Sequence, residues 1–179
     1  MSMKTTLRIT LATATTFAAL GFAAPQAAVA DTPGRHFTVA SQVSASTQSL
    51  VAANAQAAAA GATACGAGYT QIILAERLPS ATARYATIYV YTNGQETGPR
   101  IYDKPTCAVL HNETGSAQYM GVRLKDNYTD TPDTQDFGTY NTYAGPVYQN
   151  KGWCGEVYSY MKKSGKVVVD HVRGVGACN

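Results

Sequence analysis

Hydrophobic and polar positions alternate with a period of two in the second half of the chain, a pattern typical of half-buried β-strands. In residues 84–92 the two sets are Ala86, Ile88 and Val90 on one side and Tyr85, Thr87, Tyr89 and Tyr91 on the other. Residues 117–125 repeat the pattern, with Met120, Val122 and Leu124 opposite Tyr119, Arg123 and Lys125. Both stretches predict antiparallel strands with one apolar face turned toward a core.

Turn signals divide the remaining apolar stretches into further strands. Asn93-Gly94 predicts a tight hairpin turn, with residues 95–102 returning beside the strand that precedes it. Four other runs have strand composition: residues 69–74, 106–111, 156–161 and 166–173, the last two joined as a hairpin through residues 162–165. We therefore predict an all-β fold, a small antiparallel sandwich or barrel-like domain.

Residues 138–154 stand out because they combine tyrosine, glycine, a proline, the only tryptophan and one cysteine. Aromatic rings bring a large apolar area, and Ala144-Gly145-Pro146 interrupts the strand signal. We predict that this stretch forms a corner of the core.

The first 64 residues have a different composition. Residues 1–30 begin with Lys4 and Arg8, continue with an apolar run and end in Ala28-Val29-Ala30, which predicts a signal peptide cleaved after Ala30. The apolar run is shorter than the roughly 20 residues that span a bilayer, so we predict a secreted protein with no transmembrane anchor after cleavage. Residues 31–64 are rich in alanine and serine, which predicts a disordered or weakly helical lead or propeptide. Residues 65–179 then form the disulfide-bonded β domain.

Export places the four cysteines in an oxidising compartment, where an even number predicts disulfides. Four cysteines allow three pairings. We predict Cys65 with Cys107 and Cys154 with Cys178, because each pair joins neighbours in the cysteine order and the second closes the terminal hairpin. No two cysteines form a C-x-x-C pair, so the sequence does not predict a zinc site.

Charge and motifs exclude several function classes. The formal net charge of +3 falls to about +1 without Lys4 and Arg8, so no basic patch predicts nucleic-acid binding. No motif indicates a cofactor or a catalytic nucleophile. The acidic loop at residues 126–136 lacks the ligand order of a calcium-binding loop. The neighbours Asp170 and His171 would point to opposite faces of a strand.

A resemblance to a known family follows from specific residues. They are Cys65-Gly66-Ala67-Gly68-Tyr69, Cys107-Ala108-Val109, Tyr143-Ala144-Gly145-Pro146-Val147-Tyr148, and the two later cysteines. Over residues 65–179 the chain resembles the spore-associated protein A family of sporulating actinobacteria. The resemblance implies a small secreted protein found with the spore or aerial-hypha surface, and it carries no catalytic residues to transfer.

The sequence therefore predicts a non-catalytic protein of the spore or cell-wall surface. We expect it to bind a wall polymer or a surface protein through exposed aromatic residues drawn from Tyr140, Tyr143, Tyr148 and Trp153. One alternative is a protease or glycosidase inhibitor that presents a rigid loop, either residues 94–105 or residues 126–136. The other is a weak hydrolase, which requires His171 or clustered carboxylates to share a pocket.

Overall fold

The computed structural model describes residues 37–178. The predicted signal peptide, residues 1–30, and the predicted start of the mature chain at Asp31 lie outside these residues. The described part contains nine strands and two α-helices. The helices are α1 (Ala45–Ala53) and α2 (Ala55–Cys65), and a short 3₁₀ helix spans Gly152–Cys154. Neither α-helix has the length and apolar character needed to cross a membrane.

The strands form two sheets. In chain order they are β1 (Thr38–Val39), β2 (Gln71–Pro79), β3 (Arg84–Thr92), β4 (Thr106–Asn112), β5 (Gln118–Lys125), β6 (Thr134–Tyr140), β7 (Tyr143–Gln149), β8 (Glu156–Lys163) and β9 (Lys166–Gly174). Sheet A has the order β1-β2-β3-β4-β7, and sheet B has the order β6-β5-β8-β9. All pairs are antiparallel except β1 with β2.

The two sheets pack face to face around one apolar core, so the predicted all-β sandwich is confirmed. Sheet A contributes fully buried residues such as Ile88 and Leu110, and sheet B contributes Met120 and Leu124. The alternation predicted for β5 is confirmed, since Met120, Val122 and Leu124 enter this core. Large apolar side chains from both sheets give the sandwich most of its stability, because each contributes roughly 1.5 to 3 kcal/mol when fully buried.

The corner predicted at residues 138–154 links the two sheets. The chain leaves sheet B at Tyr140 and enters sheet A at Tyr143. Gly145 has a φ of +96°, and a Cβ added there would lie 2.7 Å from the carbonyl oxygen of Ala108. A side chain at this position would therefore separate β7 from β4, which explains the glycine.

The helices form a third layer on the outer face of sheet A, although the composition predicts that the β domain begins at residue 65. Ala58 and Ala62 are buried against this sheet together with Phe37 and Val51. The Tyr91 hydroxyl, also buried, donates a hydrogen bond of 2.7 Å to the carbonyl oxygen of Ala58. Small side chains bury little area each, but they allow a helix to approach a sheet closely. The packed unit therefore includes residues 37–64, for which the composition predicts a disordered or weakly helical lead.

Both predicted disulfides are confirmed. Cys65 bonds Cys107 with a Cα–Cα distance of 5.9 Å, and Cys154 bonds Cys178 with a Cα–Cα distance of 5.4 Å. The first ties the end of α2 to β4, and the second ties the C-terminal segment to the 3₁₀ helix.

One predicted hairpin is confirmed and the other is wrong. β8 and β9 are joined by Ser164 and Gly165, which have φ values of 51° and 77°, as a two-residue turn requires. After β3, Gly94 has a positive φ but Asn93 does not. The partner strand is β4 rather than residues 95–102, and residues 93–105 form a loop.

Candidate binding surface

The structure does not bring the four predicted binding residues together. Trp153 is only 8% exposed and belongs to the core between the sheets. Its Nε1 donates a hydrogen bond of 3.0 Å to the carbonyl oxygen of Ala177, and the Lys104 ammonium lies 5.1 Å from its ring centroid. The prediction of Trp153 as an exposed binding ring is therefore wrong, because this ring anchors the C-terminal segment.

Tyr140 is half-buried at the corner between the sheets and packs against the same core. Its hydroxyl donates a hydrogen bond of 2.5 Å to Asp136 Oδ1, and this bond raises the pKa of Tyr140 to about 12. Asp136 Oδ2 also accepts a hydrogen bond of 2.7 Å from the backbone N–H of Gly145. Tyr140 thus braces the corner.

Tyr143 and Tyr148 lie on the outer face of sheet A, near the helices. Tyr143 is half-buried and packs against the core beneath the helices. Tyr148 is 39% exposed, its ring meets Tyr69 edge-on at 5.5 Å, and its hydroxyl donates a hydrogen bond of 3.2 Å to the carbonyl oxygen of Cys65. Of the four predicted residues, Tyr148 is the most exposed.

A continuous aromatic array lies elsewhere, on the outer face of sheet B. We call it the aromatic face, and its rings are Tyr119, Phe137, Tyr158 and Tyr160. They come from the three neighbouring strands β5, β6 and β8. Tyr119 is 46% exposed, and the other three are half-buried.

The rings of the aromatic face contact one another in sequence. The centroid distance is 6.4 Å from Tyr119 to Tyr160, 6.3 Å from Tyr160 to Tyr158, and 6.3 Å from Tyr158 to Phe137. These separations fall in the range of favourable aromatic pairs. The array is therefore preorganised and would lose little side-chain entropy on binding.

A glycine on β5 makes room for this arrangement. Gly121 pairs with Phe137 on one side and with Tyr160 on the other. A Cβ added at Gly121 would overlap the Phe137 ring. The ring therefore lies across the glycine backbone, and the two strands that flank β5 share one aromatic surface.

Cations border the aromatic face. The Lys162 ammonium lies 5.9 Å from the ring centroids of both Tyr119 and Tyr160, and the Arg123 guanidinium lies 5.1 Å from that of Tyr158. The Tyr158 hydroxyl donates a hydrogen bond of 3.0 Å to Asp170, and burial together with this bond raises the pKa of Tyr158. Flat rings with polar groups at their margins suit a ligand that has both apolar and hydroxyl-bearing faces.

Sequence reasoning named none of these four residues as a binding residue, for an identifiable reason. It placed Tyr119 on the outer side of β5 but did not assign Phe137, Tyr158 or Tyr160 to any surface. The usable signal was the pattern of β8, in which Tyr158 and Tyr160 alternate with buried residues. That pattern shows two faces, but it does not show which one is covered.

The residues considered for catalysis or metal binding lie apart. Asp170 and His171 point to opposite faces, since Asp170 contacts Tyr158 whereas His171 Nε2 lies 3.6 Å from Glu76 Oε1. The aspartates of residues 126–136 have separate local partners: Asp126 accepts from the Tyr128 N–H and Asp133 pairs with Arg123. Within residues 37–178, no cluster of three or more histidine, cysteine and acidic side chains is placed to hold a metal ion.

Comparison with known proteins gives one informative match. The chain is 34% identical over 113 residues to spore-associated protein A of Streptomyces coelicolor. The match covers 60% of this chain and 66% of that relative, so the chain spans just under two thirds of the relative's length. No family model and no solved structure matches the chain. The resemblance to the spore-associated protein A family, which the Tyr-Ala-Gly-Pro-Val-Tyr core and the order of cysteines indicated, is confirmed.

Proposed function

We propose that this protein is secreted, associates with the spore or cell-wall surface without catalysing a reaction, and binds a wall polymer or surface protein through its aromatic face. The name of the similar protein supports the location. Two disulfides are consistent with an extracellular compartment. The observation that carries the proposal is the preorganised array of four rings on a sheet face that the described residues leave uncovered.

The proposal assigns attachment to aromatic stacking rather than to net charge. The predicted mature chain has a formal charge near +1, which provides little long-range attraction. Salt screens charge pairs at the surface, but it does not weaken the burial of apolar rings. Binding to isolated walls is therefore expected to persist at high salt.

The test is a pull-down of purified protein on isolated spore and hyphal walls at low and high salt. We expect Tyr119→Ala to weaken binding by roughly 1 to 2 kcal/mol, about five- to thirtyfold, because an interface ring that is removed leaves its contacts unmade. The matched control is Tyr148→Ala, since Tyr148 has a similar exposed fraction on the other sheet. Thermal unfolding of each variant separates lost binding from lost folding.

Two outcomes contradict this assignment. If Tyr148→Ala weakens binding and Tyr119→Ala does not, the ligand is held on sheet A. If the folded wild type binds neither wall preparation at either salt concentration, surface attachment through aromatic residues is wrong.

One observation favours the inhibitor function as a second candidate. Ile101 is 72% exposed within the loop 93–105, while Asp103 in the same loop is 1% exposed. Asp103 holds the loop, since its Oδ1 accepts a hydrogen bond of 2.7 Å from the Tyr128 hydroxyl and its carbonyl oxygen accepts one of 2.7 Å from the Thr97 N–H. A braced loop with an exposed apolar side chain suits insertion into the pocket of a protease. The test is to measure inhibition of a panel of secreted proteases by the wild type and by Ile101→Asp. Inhibition that Ile101→Asp abolishes would establish this function, whereas no inhibition at micromolar protein would rule it out.

A further inference from the structure

A cleft of about 570 Å³ lies at the open edge of the sandwich, between α1, β2 and Arg173 of β9. Its apolar lining includes Leu50, Leu74 and Ala75, while hydroxyl, carboxylate and guanidinium groups line the remainder. The polar groups include the hydroxyl groups of Ser46, Ser49 and Ser80, the Glu76 carboxylate and the guanidinium groups of Arg77 and Arg173. A cavity of this volume is in the range that small-molecule sites occupy.

The way in which α1 borders sheet A creates the cleft. β1 pairs with β2 only at Gln71 and Ile72. At Ala75 the Thr47 hydroxyl takes the place of a neighbouring strand. It donates a hydrogen bond of 3.1 Å to the Ala75 carbonyl oxygen and accepts one of 3.4 Å from the Ala75 N–H. Beyond Ala75 no strand among residues 37–178 continues this edge, and the cleft opens there.

The two arginines of the cleft differ in whether a carboxylate neutralises them. Glu76 neutralises Arg173, with Oε2 lying 3.3 Å from the Arg173 Nε. Arg77 makes no salt bridge with any described residue, and its Nε is buried without a hydrogen-bond partner. Since a buried cationic donor without a partner is costly, this guanidinium is suited to an anionic ligand.

We propose that the cleft binds a small hydroxylated carboxylate of the acidic-sugar class. The Arg77 guanidinium pairs with the carboxylate, the serine hydroxyl groups bond the sugar hydroxyls, and the floor contacts the carbon–hydrogen face of the ring. A monoanion is favoured over a phosphate dianion, because the Glu76 carboxylate also lines the cleft and repels additional negative charge. This site shares no residue with the aromatic face and does not depend on it.

The experiment titrates the purified protein with four probes and follows backbone amide shifts by NMR. Glucuronate carries both a carboxylate and hydroxyl groups, glucose carries hydroxyl groups alone, acetate carries a carboxylate alone, and inorganic phosphate is the competing anion. We expect glucuronate to shift the amides of α1 and β2, and to bind at least about tenfold more tightly than any other probe.

Variants identify the groups responsible. Arg77→Gln is expected to weaken glucuronate binding about tenfold or more, whereas Arg84→Gln, which alters an exposed arginine outside the cleft, leaves it unchanged. Glu76→Gln is expected to strengthen binding several-fold, because it frees the Arg173 guanidinium and removes the competing negative charge. Tyr119→Ala should have no effect, which separates this proposal from wall binding.

The amide spectrum of each variant also reports whether that variant is folded. Arg77→Lys is a further variant that keeps the positive charge at residue 77 but removes the planar pair of donors. A folded Arg77→Gln protein that binds glucuronate as the wild type does would overturn the proposal. Equal binding of acetate or phosphate would overturn the acidic-sugar class, and the absence of any shift at millimolar glucuronate would overturn the site.

Discussion

Tyrosine has three distinct roles in this chain, and the surroundings of each ring decide which one it has. Tyr91 is fully buried with its hydroxyl bonded to a helix carbonyl, and burial raises its pKa well above the usual value. Tyr140 donates to Asp136 of its own strand, β6, and the same carboxylate accepts from the Gly145 N–H of β7. Tyr119 presents its ring on an open sheet face. A count of tyrosines thus predicts an amphipathic surface somewhere in the fold without locating it.

The Tyr140–Asp136 hydrogen bond leads to a pH-dependent prediction. The pKa of Tyr140 is raised from 10.0 to about 12 by this bond, so the folded state holds the proton more tightly than the unfolded state does. The stabilisation is fully present below pH 10 and is lost as the pH rises toward 12. Tyr140→Phe, which keeps the ring, is expected to lower the free energy of unfolding by about 1 kcal/mol at pH 7.

Urea unfolding at pH 7, 9, 10.5 and 11.5 measures this effect. The difference between wild type and Tyr140→Phe should be constant up to pH 9 and shrink above pH 10. In an Asp136→Asn background the same substitution should show a weaker pH dependence, since the carboxylate is absent. A difference that does not change from pH 7 to 11.5 would contradict the role of the pair.

Elements with strict alternation were predictable, and elements that depend on distant partners were not. β3 begins and ends where the pattern of residues 84–92 predicted, because its seven buried residues, 86–92, alternate between the two covered faces of sheet A. The hairpin at Ser164-Gly165 was predictable from local turn chemistry. The hairpin predicted at Asn93-Gly94 failed because the hydrogen bonds around Asp103 and Thr92 hold a longer loop, and no local signal reports them.

The candidate surface was only partly predictable for the same reason. β3 and β8 both place tyrosines on one side and smaller residues on the other. In β3 the helices cover the tyrosine side, whereas in β8 that side is open to solvent. The difference depends on where residues 37–65 pack, and their alanine-rich composition did not predict a packing partner.

At the scale of the whole molecule, the three layers cover the two sheets to different extents. Sheet A is covered by sheet B on one face and by helices on the other, so its tyrosines at 89 and 91 belong to a core. Residues 37–178 cover only one face of sheet B, and its outer rings form the aromatic face. The helices therefore decide which tyrosine-rich surface is available for binding, and the fold should depend on them.

Limited proteolysis tests whether residues 37–64 are part of the folded unit. Elastase suits this test, since it cuts after small residues and this segment is rich in alanine. In the wild type we expect the resistant fragment to begin at or before Phe37, because cleavage requires the helices to leave sheet A. Mass spectrometry under reducing conditions identifies its first residue without interference from the Cys65–Cys107 bond.

A pair of variants on α2 makes the test specific. A side chain at Gly61 would overlap the buried Tyr91 hydroxyl, whereas Ala60 is exposed on the same helix. Gly61→Val is expected to release the helices and to permit cuts between residues 45 and 64, while Ala60→Val, which adds similar bulk, should leave the fragment as in the wild type. If the wild type is itself trimmed rapidly to a core that begins near Cys65, the helices contribute little to the fold, and the domain boundary predicted from composition is the correct one.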